Sequence, residues 1–189
     1  MAGEEHVSVA VRDDFVARQT KAKPVPALAE LLWNSLDGDA TEVSVEFAHN
    51  DLAGGMSRIV VYDNGDGFSR SDARALFGNL GGSWKRHVRQ TKRNHRMIHG
   101  QEGRGRYKAF ALGQSATWKV CYDAPSGRKA FEVQLIEANL TDVTITEEVP
   151  APERSTGVIV EIDDLRRDFK AFESEDGLQG LNEIFALYL

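Results

Sequence analysis

The sequence predicts an α+β domain, with helices layered on one face of a sheet. Three observations lead there. An amphipathic helical stretch comes first. Two apolar-polar alternating runs follow it, separated by a turn. Four more strand-like runs lie beyond a long polar, basic loop.

The elements follow in chain order. Residues 6–11 (HVSVAV) alternate and suit a short strand or an arm. Pro24 and Pro26 punctuate the chain, and a helix is expected from about Ala27 to Asp39, because proline suits a first helical turn. In 42–48, Val43, Val45 and Phe47 share one face, the mark of a half-buried strand. Asn50–Gly55 reads as a hairpin turn, and 57–62 (SRIVVY) as its second strand. Ser71–Phe77 suits a short helix. From Gly78 to Gly100 the chain is polar and rich in glycine and basic residues, and a mobile loop is expected. Residues 103–112 look helical. Strands are expected at 115–122, 129–136, 141–146 and 157–162, with turns at Pro125–Gly127 and Pro150–Pro152. A last helix spans Leu178–Leu189. Its apolar, uncapped end suggests a piece of a longer protein.

Composition bounds the function. The 189 residues suffice for one domain with a real core. Charged residues make up 28% and hydrophobic residues 41%, as in ordinary globular chains. A single cysteine, Cys121, excludes an intrachain disulfide framework, and the five histidines lack metal-ligand spacing. No apolar run approaches the ~20 residues that span a bilayer, and no signal peptide opens the chain. A reduced, cytoplasmic, soluble protein that makes no use of a membrane is expected. The net charge of −6 argues against wholesale coating of nucleic acid. It also hides a polarity. Residues 85–96 hold six Lys/Arg, two His and no acid, whereas 137–153 hold five acids and no base. The basic run suits phosphate, nucleic acid or an acidic partner, although such runs are more often plain solvated loops.

Three short motifs carry chemistry. On the first helix, Glu30, Asn34 and Asp37 are spaced i, i+4, i+7 and fall within roughly 60° of arc. The stripe holds carboxylates and a carboxamide but no Lys or Arg. It suits a site floor, with Glu to activate a water and Asn to hold a hydrated cation. A solvated helix face would look the same. After the second hairpin strand comes Asp63-Asn64-Gly65-Asp66-Gly67. Glycines there let a planar ligand lie against the backbone, and a strand-end carboxylate can accept from an exocyclic amine. A calcium loop is disfavoured because the distal glutamate is missing, and a plain turn stays open. The third motif, Gly100-Gln101-Glu102-Gly103-Arg104-Gly105, leads into RYKAFALG. Bare amides at such a start suit phosphate, with Lys108 one turn inside. It is neither a P-loop nor a dinucleotide fingerprint.

In this order, ALAELLWNSLDGDATEVSVEF (27–47), VVYDNGDGFS (60–69) and GQEGRGRYKAFALG (100–113) resemble the GHKL superfamily of ATPases: DNA gyrase B, the MutL mismatch-repair proteins, the dimeric heat-shock chaperones, MORC-type ATPases and sensor histidine kinases. The resemblance spans roughly residues 24–162. The GQEGRGRYKAF and LGGSWK stretches lean toward the chaperone and MORC branch. It implies the Bergerat fold: a two-layer sandwich with a mixed, mostly antiparallel sheet. Residues 1–23 would be an arm, 24–189 the ATPase domain, and about 68–99 an ATP lid.

The resemblance also implies roles. Glu30 matches the general base that activates water, and Asn34 the magnesium ligand. Asp37 borders the nucleotide. Asp63 matches the carboxylate that reads the adenine amine, with Gly65 and Gly67 shaping the wall. Gly100, Gly103 and Gly105 face phosphate, and Lys108 lies near the γ-phosphate. Ser83, Lys85 and Arg104 join the nucleotide-binding positions. Thr156 matches a strand threonine beside adenine. ATP and Mg2+ are the implied cofactors. The implied activity is slow hydrolysis used as a dimerisation switch, with the basic segment 85–96 free for a protein client or nucleic acid. A nucleotide sensor without useful hydrolysis is the alternative, with a histidine-kinase catalytic domain behind it. Two departures stand out. Gly38-Asp39-Ala40 follows the motif's acid where many members place alanine directly, and the lid is unusually basic.

Overall fold

The computed structural model describes residues 5–8, 22–50, 52, 54–78, 90–99 and 105–186. The first helix, α1 (Pro24–Asp37), starts three residues before the expected point. Both prolines sit in its first turn, where a missing N–H breaks no helical bond. Gly38 caps it by donating its amide to the Asn34 and Ser35 carbonyls. Strands β2 (Val43–His49) and β3 (Met56–Asp63) form the expected antiparallel hairpin. Helix α2 (Arg70–Gly78) follows, with Arg70 donating from Nε to the Thr146 carbonyl at 2.9 Å.

Residues 105–111 were expected as helix and form a seven-residue 3₁₀ turn. Strands β4 (Gly113–Ala124), β5 (Gly127–Ile136), β6 (Asp142–Ile145) and β8 (Gly157–Leu165) match the four later expectations, with longer ends in three of them. The expected turn at Pro150 differs: Val149–Pro150 form a two-residue strand, β7, beside β5, and the turn begins at Ala151. Helix α3 (Glu175–Phe185) begins earlier than expected because the Ser174 hydroxyl caps it, accepting from the Gly177 amide at 3.2 Å.

The sheet order is β1-β6-β5-β4-β8-β3-β2, with β7 on β5 and β1 being Glu5–Ser8. Every described pairing is antiparallel. Of residues 6–11, read as strand or arm, 6–8 lie in β1 and extend the sheet edge, and 9–11 lie outside the described residues. One sheet face meets the helices. Leu28, Leu31, Ile59, Phe77, Phe110 and Trp118 are among the side chains buried between the layers. Each such side chain contributes about 1.5–3 kcal/mol through lost water contact. The other face is charged, with Lys119 on Glu161 at 2.6 Å and Arg58 on Asp163 at 2.6 Å. This is the two-layer α+β architecture that the sequence predicts.

Candidate functional site

The polar stripe of α1 faces the 3₁₀ turn. Glu30 and Asn34 are half-buried. The Gly105 backbone lies directly against them: a Cβ placed there would stand 3.0 Å from Glu30 Oε2 and 3.1 Å from Asn34 Nδ2. The first and third motifs thus meet. Asp37 is buried, and its Oδ1 accepts from the His99 amide at 2.8 Å. Lys108 is half-buried within the same turn, three residues past Gly105.

The second motif packs against the C-terminal end of α1. Asp63 ends β3, and its Oδ1 accepts from the Gly65 and Val158 amides at 3.0 Å each. Burial pushes its carboxyl up, against the pull of bonds from Gly65, Ser35 and Val158. The Ser35 contact comes from α1 itself. Gly65 packs on the Gly38 carbonyl, 2.5 Å from where a Cβ would stand, and the Asp66 amide donates to that carbonyl at 2.8 Å. Gly67 takes a positive φ of 63° against the Cys121 carbonyl, so any side chain there would strike backbone. Asn64 has a structural part: its carbonyl oxygen accepts from the Thr41 and Glu42 amides, at 2.8 and 2.9 Å. Thr156 lies one residue before β8, half-buried. Its neighbour Gly157, which the sequence reading passed over, has φ 142° and packs on the Asp63 carbonyl.

Of the expected mobile run from Gly78 to Gly100, residues 79–89 and 100 lie outside the described residues. Residues 90–99 are fastened to the end of α1. Asp39 is 2% exposed and has φ 64°. Its carboxylate accepts from the Arg93 amide at 2.8 Å and the Asn94 amide at 3.0 Å. Burial raises its pKa, but hydrogen bonds from Thr91, Arg93 and Asn94 prevail and hold it below the usual 3.8. Arg93 also pairs with Asp66 at 2.7 Å, and Arg96 donates to the Ala40 carbonyl. Two cations of the basic segment thus have partners next to α1, Arg93 in an exposed ion pair and Arg96 half-buried on a backbone carbonyl. The His99 ring stacks on Trp33 at 4.2 Å, and Phe185 of α3 lies near Trp33 at 4.6 Å. Asp39 was named in the sequence only as a departure from pattern. The signal available was an acid directly after a helix-ending glycine.

Ser83, Lys85, Gly100, Gly103 and Arg104 lie outside the described residues, as does 85–89 of the basic segment. Among the described residues, no three His, Cys, Asp or Glu side chains stand together as a metal site. The oxygen donors of Glu30 and Asn34 beside a side-chain-free backbone fit a hard cation shared with phosphate, since Mg2+ keeps few protein ligands. No described helix is long and apolar enough to cross a membrane.

Comparison with known proteins gives the same direction. Several DNA mismatch repair proteins MutL are similar. That of Thermosipho melanesiensis is 29% identical over 152 residues, 80% of this chain and 24% of the relative. That of Staphylococcus carnosus is 26% identical over 168 residues, 85% and 23%. That of Opitutus terrae is 40% identical over 73 residues, 39% and 11%. The chain spans at most about a quarter of the length of these relatives. The leaning toward the chaperone and MORC branch finds no support among them. Residues 22–164 match the family described as histidine kinase-, DNA gyrase B-, and HSP90-like ATPase. The match covers most of the chain and all three motifs: this protein belongs to that family, the GHKL ATPases.

Proposed function

We propose that this chain binds ATP with Mg2+ and hydrolyses it slowly, as the conformational switch of a larger machine. The observation that carries the reading is the seating of the Gly105 backbone on Glu30 and Asn34, with Gly65, beside Asp63, packed on the Gly38 carbonyl at the end of the same helix. Asp63 accepts from the adenine amine, with Gly65 and Gly67 as the wall and Thr156 beside it. Asn34 offers its carbonyl oxygen to the cation. When bound, Mg2+ neutralises charge on the phosphate oxygens as the γ-phosphoryl leaves. Glu30 orients the attacking water and takes its proton. Gly100, Gly103 and Gly105 present amides to the phosphates, and Arg104, Lys108, Ser83 and Lys85 are further nucleotide-binding residues in this reading. Asp37 holds the chain at His99.

In this reading residues 68–99 are the lid, and its ordering by ATP drives homodimerisation. The basic segment 85–96 is the surface for a protein client or nucleic acid, with Arg96 held on the Ala40 carbonyl and Arg93 shared with Asp66. The second reading is a nucleotide sensor with negligible turnover. Phosphate release from ATP, with and without magnesium, separates the two. Slow, magnesium-dependent turnover is expected; binding without turnover selects the sensor, and absence of binding rejects both.

A further inference from the structure

We propose that Asp39 is a positioning residue: it anchors residues 90–99 to the end of α1 and thereby sets how well the site tells ATP from ADP. The anchoring rests on geometry alone; the discrimination rests on the ATP reading given above.

Asp39 sits in the left-handed region, which glycine adopts freely and aspartate tolerates at a modest cost. The site nevertheless holds an acid, and it is almost fully buried. Its carboxylate takes two successive backbone amides, Arg93 and Asn94, and its own carbonyl accepts from the Arg93 guanidinium at 3.4 Å and the Asn94 carboxamide at 3.3 Å. Charge-assisted bonds of this kind are the strong ones. The bound segment is itself stiff. The Thr91 amide donates to the Arg96 carbonyl at 2.9 Å, the Arg96 amide donates to Thr91 Oγ1 at 3.1 Å, and Gln90 pairs with Met97. One carboxylate therefore holds a preformed turn rather than a slack loop.

The turn then reaches His99, fixed by the Asp37 carboxylate and the Trp33 ring. Six residues later the chain is at Gly105, seated on Glu30 and Asn34. Asp39 and Asp37 thus set the entry of the phosphate side relative to the helix that bears the reacting groups. Adenine recognition at Asp63 belongs to another strand. Loosening the anchor weakens what the terminal phosphate meets and spares the base.

The test is Asp39→Gly, which relieves the backbone while deleting the carboxylate, with Asp39→Asn as the conservative partner that keeps one acceptor oxygen. Amide hydrogen exchange at Arg93 and Asn94 is expected to speed up roughly tenfold or more in Asp39→Gly and less in Asp39→Asn. Affinity for a non-hydrolysable ATP analogue with magnesium is expected to fall roughly fivefold or more, with ADP affinity changed less than about twofold. Unchanged exchange overturns the anchor. Faster exchange with equal loss for both nucleotides, or with no loss, overturns the positioning role. A wild type that binds neither nucleotide overturns the ATP reading and the discrimination with it, while the exchange rates still decide the anchor.

Discussion

The wall around Asp63 and the limb at 90–99 border the same end of α1, yet they are held in opposite ways. At the wall, backbone meets backbone: Gly65 on the Gly38 carbonyl, Gly67 on that of Cys121, Gly157 on that of Asp63. At the limb, side chains hold backbone: Asp39 on two amides, Asp37 on a third, Arg96 on the Ala40 carbonyl. The first arrangement has no rotamer to change and is fixed with the fold. The second can be released by losing a few bonds, which is what a moving element requires. The half-buried Asp63 and the buried Asp39 mirror this contrast. Burial leaves Asp63 with a raised pKa, an acid kept strained where a ligand would satisfy it. Burial acts on Asp39 too, but three bonded partners outweigh it and lower its pKa.

The largest expected effect falls on the floor that joins the two regions. Glu30→Ala should reduce ATP turnover roughly 10²–10⁴-fold, the usual worth of a positioned base, while affinity for ATP survives. Steady-state phosphate release beside equilibrium binding checks this, and equal loss of both would make Glu30 a binding residue.

Next comes the rigidity of the wall. Gly157→Ala puts a methyl into the Asp63 carbonyl at a φ of 142°. It should cost about 3 kcal/mol, read by denaturant unfolding. A cost near zero would show that the wall yields, and the contrast between regions would dissolve.

A smaller effect separates the two acids. A raised aspartate pKa means that the folded state prefers the protonated form. Stability from Asp63 is therefore present below its ordinary 3.8 and lost as pH rises through its folded value. At neutral pH the charge is a net cost, so Asp63→Asn should raise the ligand-free melting temperature by roughly 2–4 °C. A lower melting temperature would show that the carboxylate is structural. Asp39 carries the reverse sign. Its pKa is lowered, so its contribution is present above 3.8 and lost as pH falls through the lower folded value. The smallest expected effect follows: protection of the Arg93 and Asn94 amides, corrected for intrinsic exchange, should not change between about pH 7 and pH 5. Loss of protection in that window would point to a different anchor.

The layers of the fold were legible because they rest on local rules. Val43, Val45 and Phe47 announce a strand by alternation, and Pro24 and Pro26 announce a helix start, though not that both would sit inside it. Within the site, the stripe of Glu30 and Asn34 and the acid Asp63 were legible from residue type and spacing. What escaped depends on tertiary contact. Nothing local distinguishes a 3₁₀ from an α-helix at 105–111, and the packing of Gly105 on α1 is likewise a tertiary contact. Charge alone does not reveal that Arg93 and Arg96 have partners beside α1, because those partners, Asp66 and the Ala40 carbonyl, lie far away in sequence. Ser174 was legible as a cap and was passed over, as its hydroxyl precedes Glu175 and Asp176 in a typical helix opening.

The central claim is a nucleotide cleft with its base-reading end at Asp63 and its phosphate end at Glu30, Asn34 and Gly105. A calorimetric titration of ATP with magnesium into the wild type and Asp63→Asn tests it most directly. Saturable binding near one ATP per chain in the wild type, absent in a folded Asp63→Asn, is the result this account predicts. Equal binding by both proteins, or none by the wild type, would contradict it.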